Sequence, residues 1–305
     1  MILERMASEL GLPSGFILSL ARSASHEYKT YRIAKRNGEF RTIHHPSRRL
    51  KALQRWLLRN VIANLPVHAA AAAYRPRRSI LDNASRHVAS GYLLRMDFAN
   101  FFPSITQVDL ARYIAERRPL FDGWAPQDID LFCRLVCRHA VLTIGAPTSP
   151  GLSNALCYDL DVALATISVR GNVTYTRYAD DLFFSTTQKG VLRDFEQEVE
   201  RAVEKVQVPA GLRMNRDKTR HSSKRGARRV TGIVLGSDGK AHVGRKRKRE
   251  IRALIHRYDT LDDARRASLA GMIAYATGLD PAFMNRLIDK YGLRVVRRAM
   301  RIPNP

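Results

Sequence analysis

A Tyr-Ala-Asp-Asp tetrapeptide at residues 178–181 lies between two runs rich in β-branched and aromatic residues, Val173–Arg177 and Leu182–Thr186. Such runs favour strands, and the short polar segment between them predicts a β-hairpin with adjacent carboxylates at its tip. One interpretation is that Asp180 and Asp181 are only turn residues, since aspartate is common in turns. The other is that they bind a cation such as Mg²⁺, because two adjacent acids beside apolar strands repel each other.

A third carboxylate, Asp97, lies near the end of a predicted buried strand at residues 93–98. After it, a helix is expected to start at Ser104, with Gln107 three residues later completing a capping box. A fold that brings this strand end and the hairpin tip to one edge of a sheet would gather Asp97 with the two hairpin acids. Three carboxylates that hold two Mg²⁺ ions are an arrangement suited to phosphoryl transfer.

The chain carries a large excess of positive charge. It has 305 residues and a formal net charge of +24, with a pI near 10.7. Such a field attracts nucleic acid, although it indicates the class of partner and not the reaction. No apolar run reaches the length of about 18 residues that a membrane span needs. The N-terminal segment predicts an amphipathic helix ending near Gly11 and lacks the order of a secretory signal, so we expect a cytoplasmic protein.

The three cysteines, Cys133, Cys137 and Cys157, predict buried thiols. Cys133 and Cys137 fall on the apolar face of a predicted helix. A structural zinc site needs a closed shell of four ligands, and only His139 is close in sequence. Buried thiols also fit a reducing cytoplasm.

Several further motifs resemble those of the retron reverse transcriptases, over a stretch from about Arg41 to about Gly292, and they follow the order of that family. They are Arg41-Thr42-Ile43 with Pro46, Leu50-Lys51 and Gln54–Leu57; Ser79–His87; Asp97–Ile105; Gly145–Asn154; the Tyr-Ala-Asp-Asp tetrapeptide; Leu212, Asn215 and Lys218-Thr219; and Val230-Thr231-Gly232. The Asn-Ala-x-x-His element within Ser79–His87 and the Val-Thr-Gly element are those associated with retrons. Ile144 stands where many reverse transcriptases carry Gln, and Asn100 stands where Asp is common. Neither change removes a predicted metal ligand.

The resemblance implies an α+β right-hand polymerase with fingers, a palm built of an antiparallel sheet packed on helices, and a helical thumb. The fingers are expected over residues 1–88. The palm, which includes a fingers-side helical insertion, is expected over residues 89–235, and the thumb over residues 236–305.

Individual elements are predicted within this frame. The fingers are expected to contain a basic hairpin around Tyr31–Ile43 and a helix from Leu50 to Leu65. In the palm, Ser149 and Pro150 are expected to be the N-cap and first residue of one helix, whose apolar face continues over residues 152–167.

By resemblance, Asp97, Asp180 and Asp181 are the catalytic residues, and with Phe98 they bind two Mg²⁺ ions. The expected nucleotide-binding residues are Arg41 and Lys51 at the triphosphate, Phe102 as a gate against a ribose 2′-OH, and Lys218 as a proton donor to the departing pyrophosphate. The alternatives are a plain core phenylalanine and a solvated basic face. That basic face comprises Arg32, Lys35, Arg36, Arg41, Arg48, Arg49 and Lys51.

The same resemblance implies two groups of RNA-binding residues. The group expected to recognise the cognate RNA, directly or by shaping the surface that does, comprises Asn83, His87, Val230, Thr231 and Gly232. Structural hydrogen bonding is the alternative for Asn83 and His87. The group expected to add sequence-independent affinity comprises Arg245, Lys246, Arg247, Lys248 and Arg249, on a thumb helix with an apolar seam at Ile251, Leu254, Ile255 and Tyr258.

The implied reaction is reverse transcription of a cognate structured noncoding RNA, primed from a guanosine 2′-OH, which converts dNTPs into branched RNA–DNA (msDNA). Expected partners are that RNA and its msDNA product, a retron effector protein in anti-phage defence and a host ribonuclease H, with no membrane. Two alternatives are a reverse transcriptase of another bacterial lineage and a nucleic-acid-binding scaffold that restrains an effector. The two retron-associated elements oppose the first alternative, and the presence of all three acids opposes the second.

Overall fold

The structure, a computed structural model, describes residues 2–34 and 38–301, so Lys35 and Arg36 lie outside the described residues. The chain divides into two compact units. The first is Met1–Arg77 with Leu94–Phe184 and Gly190–Arg220, and the second is Arg78–Leu93 with Ser185–Lys189 and His221–Pro305. This division does not correspond to fingers, palm and thumb in chain order, and the boundaries of those three subdomains stay a prediction.

The chain combines helices with antiparallel sheets, as expected for the α+β class. The helices are α1 (Ile2–Leu10), α2 (Ser14–Arg22), α3 (Arg48–Asn60), α4 (Ile80–Ser85), α5 (Gln107–Glu116), α6 (Pro126–Val136), α7 (Ser149–Leu156), α8 (Tyr158–Arg170), α9 (Val191–Lys205), α10 (Arg245–His256), α11 (Asp263–Leu279), α12 (Pro281–Tyr291) and α13 (Leu293–Ala299). The strands are β1 (Tyr28–Ala34), β2 (Phe40–Pro46), β3 (Tyr92–Asp97), β4 (Thr174–Tyr178), β5 (Asp181–Thr186), β6 (Arg220–Ser223), β7 (Arg228–Val230), β8 (Ile233–Leu235) and β9 (Ala241–His242).

The strand order brings the two predicted acidic segments side by side. A four-stranded sheet has the order β4-β5-β3-β6, a two-stranded sheet pairs β1 with β2, and a three-stranded sheet has the order β7-β8-β9. In the four-stranded sheet, β5 begins at Asp181 and its neighbour β3 ends at Asp97. The predicted hairpin at residues 178–181 is therefore confirmed, with both strands placed within one residue of the prediction.

The first helices follow the predicted pattern with shifted ends. α1 stops at Leu10, close to the predicted end near Gly11. The helix predicted from Leu50 to Leu65 begins earlier, because the Ser47 side chain caps α3 by accepting a hydrogen bond from Leu50 N at 3.3 Å. It also ends earlier, at Asn60, and only a 3₁₀ turn at Ile62–Asn64 follows.

The start of α5 was predicted wrongly. The capping box is formed by Thr106 and Asp109, not by Ser104 and Gln107. The Thr106 N–H donates to Asp109 Oδ2 at 2.8 Å, and Asp109 N–H donates back to Thr106 Oγ1 at 3.1 Å. The Ser104 hydroxyl instead donates to the Asn100 carbonyl at 3.0 Å, which keeps it within the preceding turn.

The single palm helix predicted from Ser149 onward is two helices. α7 and α8 are bent by 50° at Cys157, and the N-cap of α7 is Thr148, so Ser149 is the first helical residue. Among the described residues no single helix is long and apolar enough to cross a membrane. The bent α7–α8 pair passes that test by length and composition only.

The cysteines are free and buried, as predicted. Cys133 lies on α6, and Cys137 is the C-cap of that helix. Burial raises the pKa of the Cys133 thiol to about 12, so it is a neutral part of the core.

The second unit has its own helical core. The predicted seam on α10 is confirmed, since Ile251 and Ile255 are buried, and Leu254 and Tyr258 pack against the same cluster. This cluster also receives Phe283 and Leu287 of α12. In the same unit, α4 packs against β7, β8 and β9.

Candidate active site

Three carboxylates come together in the first unit. Asp97 is the last residue of β3, Asp180 lies in the turn after β4, and Asp181 is the first residue of β5. The turn is tied to β3 because Phe98 N–H donates to the Asp180 carbonyl at 3.1 Å. Ala179 adopts a left-handed conformation, with φ of 56°, which turns the chain within two residues. The predicted convergence of Asp97, Asp180 and Asp181 is therefore present.

The electrostatics of the cluster combine partial burial with repulsion between the carboxylates. Burial, reinforced by the charge of Asp97, raises the pKa of Asp180. Burial also raises the pKa of Asp181 to about 6, with the charges of Asp180 and Asp97 acting in the same direction, while Arg95 opposes the shift. A site with these properties stabilises a bound cation, because the cation relieves both the repulsion and the lost solvation.

Two cationic side chains already contact the cluster. Lys218 Nζ donates to Asp97 Oδ1 at 2.7 Å. Arg95 donates to Asp181 Oδ1 through Nε at 3.0 Å and through a terminal nitrogen at 2.7 Å. Lys218 reaches Asp97 because Asn215 N–H donates to the Asp97 carbonyl at 2.7 Å, which holds the following 3₁₀ turn beside β3.

The ligand chemistry of the cluster fits Mg²⁺, since hard carboxylate oxygens are the ligands this ion prefers. The side chains are not arranged as a preformed metal site. Within residues 2–34 and 38–301, no group of three or more His, Cys, Asp or Glu side chains has metal-binding geometry. Lys218 and Arg95 occupy oxygens of Asp97 and Asp181, so an ion that uses those oxygens must compete with them.

The predicted nucleotide-binding residues have different positions relative to the carboxylates. Arg41, on β2, is exposed and close enough to Asp180 for its charge to lower the pKa of that carboxyl. Lys51, on α3, instead has its Nζ at 3.3 Å from His45 Nε2. Phe102 is half-buried, and its ring lies 5.4 Å from the buried ring of Phe101. Phe102 is therefore not a plain core residue.

The β1–β2 hairpin is joined to the motif at residues 145–154. His44 N–H on β2 donates to the Ile144 carbonyl at 2.8 Å. Gly145 has φ of 111°, and a side chain on it would put Cβ at 2.5 Å from the His44 carbonyl oxygen. Glycine is required here for both reasons. The backbone carbonyl of Ile144 therefore joins this motif to the hairpin. This contact does not depend on the Ile144 side chain, which stands where many reverse transcriptases carry Gln.

Most residues of the predicted RNA-recognition group are buried in the second unit. Asn83 is 1% exposed and His87 is fully buried, with its Nδ1 at 2.7 Å from Ser185 Oγ. Val230 is buried as well, whereas Gly232 is exposed in the β7–β8 turn. Thr231 in that turn donates to the Ile80 carbonyl on α4 at 3.3 Å. The turn can therefore contact RNA directly, whereas the buried side chains of Asn83, His87 and Val230 cannot.

The predicted thumb group divides in two. Arg245, Lys246 and Arg249 are exposed on α10. Lys248 departs from the prediction, because its Nζ donates to Asp280 at 2.7 Å and its side chain is only 19% exposed. Arg247 is half-buried and packs over the Tyr275 ring, 5.7 Å from its centroid. Lys248 and Arg247 therefore join the helices of the second unit together.

Sequence reasoning missed two arginines that organise the site. Arg95 binds Asp181, and Arg177 is fully buried beneath the turn. Each is a charged residue inside a run that otherwise predicts a buried strand. That pattern was the available signal, because a charge on a strand that packs into a core requires a partner.

Comparisons with known proteins agree with these features. The family described as "Reverse transcriptase (RNA-dependent DNA polymerase)" matches over residues 33–255. Retron Ec83 reverse transcriptase of Escherichia coli is 34% identical over 292 residues, which cover 93% of this chain and 93% of that protein. The chain belongs to the retron reverse transcriptases. Retron Mx162 reverse transcriptase of Myxococcus xanthus is 37% identical and covers 92% of this chain and 64% of that protein.

A solved telomerase from Candida albicans, in complex with a TWJ fragment of telomeric RNA, is similar in fold. Its TM-score is 0.52 at 11% identity, over 93% of this chain and 59% of the telomerase. This likeness shows the polymerase fold alone. As a member of the retron reverse transcriptases, the protein is an RNA-directed DNA polymerase that binds an RNA template. Enzymes with this domain generally use divalent metal ions.

Proposed function

We propose that Asp97, Asp180 and Asp181 are the catalytic carboxylates of this retron reverse transcriptase and that, with Phe98, they hold two Mg²⁺ ions. The observation that carries the proposal is the convergence of the three side chains at the end of β3 and the β4–β5 turn. When bound, the ions activate the attacking hydroxyl and stabilise the leaving pyrophosphate. The support for Phe98 is its place directly after Asp97, where its backbone N–H ties the turn that carries Asp180 to β3.

Four further residues are proposed to act on the nucleotide. Arg41 binds the triphosphate, which its position near Asp180 supports. Lys218 protonates the departing pyrophosphate, and its contact with Asp97 places Nζ beside the carboxylates. Phe102 excludes a ribose 2′-OH, in agreement with its half-buried ring beside the end of β3. Lys51 is proposed to bind the triphosphate as well, from α3, where its Nζ lies 3.3 Å from His45 Nε2.

The test is a pair of alanine substitutions. Asp180→Ala with Asp181→Ala is expected to abolish dNTP incorporation on a primed RNA template, while binding of the same RNA remains within a fewfold of the parent. Arg170→Ala, an exposed position on α8, is the matched control and is expected to keep both properties. Substantial dNTP incorporation by the double variant would show that these acids are not catalytic.

We further propose that the natural template is a cognate structured noncoding RNA. Synthesis begins at a guanosine 2′-OH and yields branched msDNA. The support is the likeness to several retron reverse transcriptases over more than nine-tenths of the chain. Sequencing the nucleic acid that co-purifies with the protein tests this. We expect one RNA species in which a single guanosine is joined to DNA, so that sequencing reads of the RNA stop at that guanosine. Linear DNA without a branch would contradict the proposal.

RNA recognition is proposed to use the exposed β7–β8 turn at Thr231 and Gly232, with Asn83, His87 and Val230 supporting that surface from within. Arg245, Lys246 and Arg249 supply sequence-independent affinity for phosphates. The proposed partners are dNTPs, a host ribonuclease H that trims the template, and a retron effector protein in anti-phage defence. The proposed location is the bacterial cytoplasm.

A further inference from the structure

A buried ion pair lies directly beneath the turn that carries Asp180. Arg177 and Asp161 are both fully buried, and their contact is bidentate. Arg177 Nε donates to Asp161 Oδ1 at 2.8 Å, and one terminal nitrogen donates to Asp161 Oδ2 at 2.7 Å. The other terminal nitrogen donates to Asn154 Oδ1 at 3.2 Å and to the Ala179 carbonyl at 3.3 Å. All of these residues belong to the first unit.

The pair joins several segments to the turn. Asp161 lies on α8 and Asn154 on α7, and the Asn154 amide also donates to the Ala73 carbonyl at 2.8 Å. The backbone of Arg177 is held as well, since its N–H donates to the Ala70 carbonyl at 2.9 Å and its carbonyl accepts from Ala72 N–H at 2.8 Å. The guanidinium therefore connects two helices with the turn, and the backbone of Arg177 adds the segment at residues 70–73.

The contact with Ala179 is the one that matters for the site. Ala179 has a left-handed conformation, which alanine adopts only where its surroundings impose it. Its carbonyl is held by Arg177 on one side, and the next carbonyl, that of Asp180, is held by Phe98 N–H on the other. These two bonds fix the direction in which the Asp180 side chain leaves the turn.

A buried pair of this kind is not explained by stability alone. Replacing a buried ion pair by apolar side chains of similar volume is often neutral or stabilising, because the charges lose their solvation on burial. The planar fork of arginine, in contrast, offers a geometry that lysine cannot reproduce. The arrangement fits a positioning role better than a simple contribution to folding.

We propose that Arg177, held by Asp161, is a positioning residue that fixes the 178–181 turn and so sets the affinity of the carboxylate cluster for divalent cations. The proposal rests on the proposed role of Asp180 as a metal ligand. In metal sites generally, removal of a group that orients a ligand lowers metal affinity by roughly ten- to a hundredfold.

The main variant is Arg177→Lys, which keeps the positive charge and removes the fork. Mn²⁺ binding to the nucleic-acid-free protein, followed by electron paramagnetic resonance of the free ion, is expected to weaken roughly tenfold. The Mg²⁺ concentration that gives half-maximal primer extension is expected to rise by a similar factor. A purely structural role would lower the unfolding temperature and leave both midpoints within about twofold of the parent, which would overturn the proposal.

Tyr175→Phe is the matched control, because the Tyr175 hydroxyl donates to the same Asp161 oxygen at 2.7 Å without contacting the turn. It is expected to leave both midpoints unchanged.

If Arg177→Lys does not fold, the combination of Arg177→Met, Asp161→Leu and Tyr175→Phe removes the buried charges together. That variant is expected to fold and to show the same weakened cation binding, and parent-like binding in it would overturn the proposal.

Asp180→Asn separates failure of this inference from failure of the proposed function. If Asp180→Asn weakens cation binding and Arg177→Lys does not, only the positioning role is wrong. If neither variant changes cation binding, Asp180 is not a metal ligand, and the proposed function fails together with the inference that rests on it.

Discussion

Each carboxylate of the site has a basic side chain beside it that lies far from that carboxylate in sequence. Lys218 and Arg95 each donate to one of them at 2.7 Å, and Arg41 contributes positive charge near Asp180. The three aspartates themselves could be predicted from their strand contexts. Arg95 could not be assigned a role, because nothing in a strand pattern says which neighbouring strand supplies the partner of a charged residue.

Phe102 provides a residue-scale test of sugar selection. Phe102→Ala is expected to lower discrimination between dNTP and rNTP at least about tenfold, because the space that excludes the ribose 2′-OH opens. Single-nucleotide incorporation with each substrate measures it. Phe132→Leu is the control, since that ring is fully buried on α6 and packs on Trp124, so its loss should affect stability alone. Unchanged discrimination in Phe102→Ala would remove Phe102 as the gate.

His87 provides a test of its structural role through pH. Burial lowers the pKa of His87 from 6.5 to about 3, so the folded state excludes a proton that the unfolded state binds below pH 6.5. The contribution of neutral His87 to the free energy of unfolding is therefore fully present above pH 6.5. It is lost as the pH falls from 6.5 towards 3. At pH 5.0 the loss is about 2 kcal/mol, at about 1.4 kcal/mol per pH unit.

The measurement is the free energy of unfolding of the parent and of His87→Gln at pH 7.5 and pH 5.0. The parent is expected to lose about 2 kcal/mol more than the variant between these two values, since glutamine does not titrate. Parallel losses in the two proteins would mean that His87 is accessible to protons in the folded state. It would then be available for contact with RNA.

At the scale of elements, the sequence predicted most strands and helices but not all of their ends. The hairpin at residues 178–181 was predictable because alternating β-branched and aromatic residues flank a polar turn. The bend between α7 and α8 was not, because the apolar face continues through Cys157 without a glycine or an interior proline to mark a break. Such bends depend on tertiary packing, and the pattern of apolar residues along the sequence carries no information about that packing.

The corrected start of α5 makes an element-scale prediction. Thr106→Ala is expected to lower the free energy of unfolding by about 1 kcal/mol, because the side-chain cap on Asp109 N–H is lost. Gln107→Ala, at the partner position of the capping box expected from sequence, is expected to stay within about 0.5 kcal/mol of the parent. Chemical denaturation of both variants provides the comparison. A larger loss for Gln107→Ala would favour the original assignment.

At the scale of the whole molecule, the formal charge of +24 indicates a polyanionic partner independently of any motif. Charge alone does not separate residues that meet nucleic acid from those that hold helices together. Within α10, Arg245, Lys246 and Arg249 are exposed, whereas Lys248 binds Asp280. In the sequence these four belong, with Arg247, to one run of five basic residues, and only the packing of α10 against its neighbours divides them.

This division leads to a prediction about salt dependence. Replacing Arg245, Lys246 and Arg249 with Gln is expected to weaken binding of cognate and unrelated RNAs by a similar factor, because phosphate contacts carry no sequence information. The slope of log affinity against log salt concentration is expected to flatten by about 2, because each of the three lost phosphate contacts on single-stranded RNA accounts for roughly 0.7 of the slope.

Lys248→Gln is the matched control. It removes one positive charge from the same helix but breaks the 2.7 Å contact with Asp280, so it should lower the unfolding temperature and leave the salt slope near that of the parent. Binding titrations at several salt concentrations decide the matter: an unchanged slope in the triple variant, or a loss confined to one RNA, would show that this face of α10 does not bind phosphates.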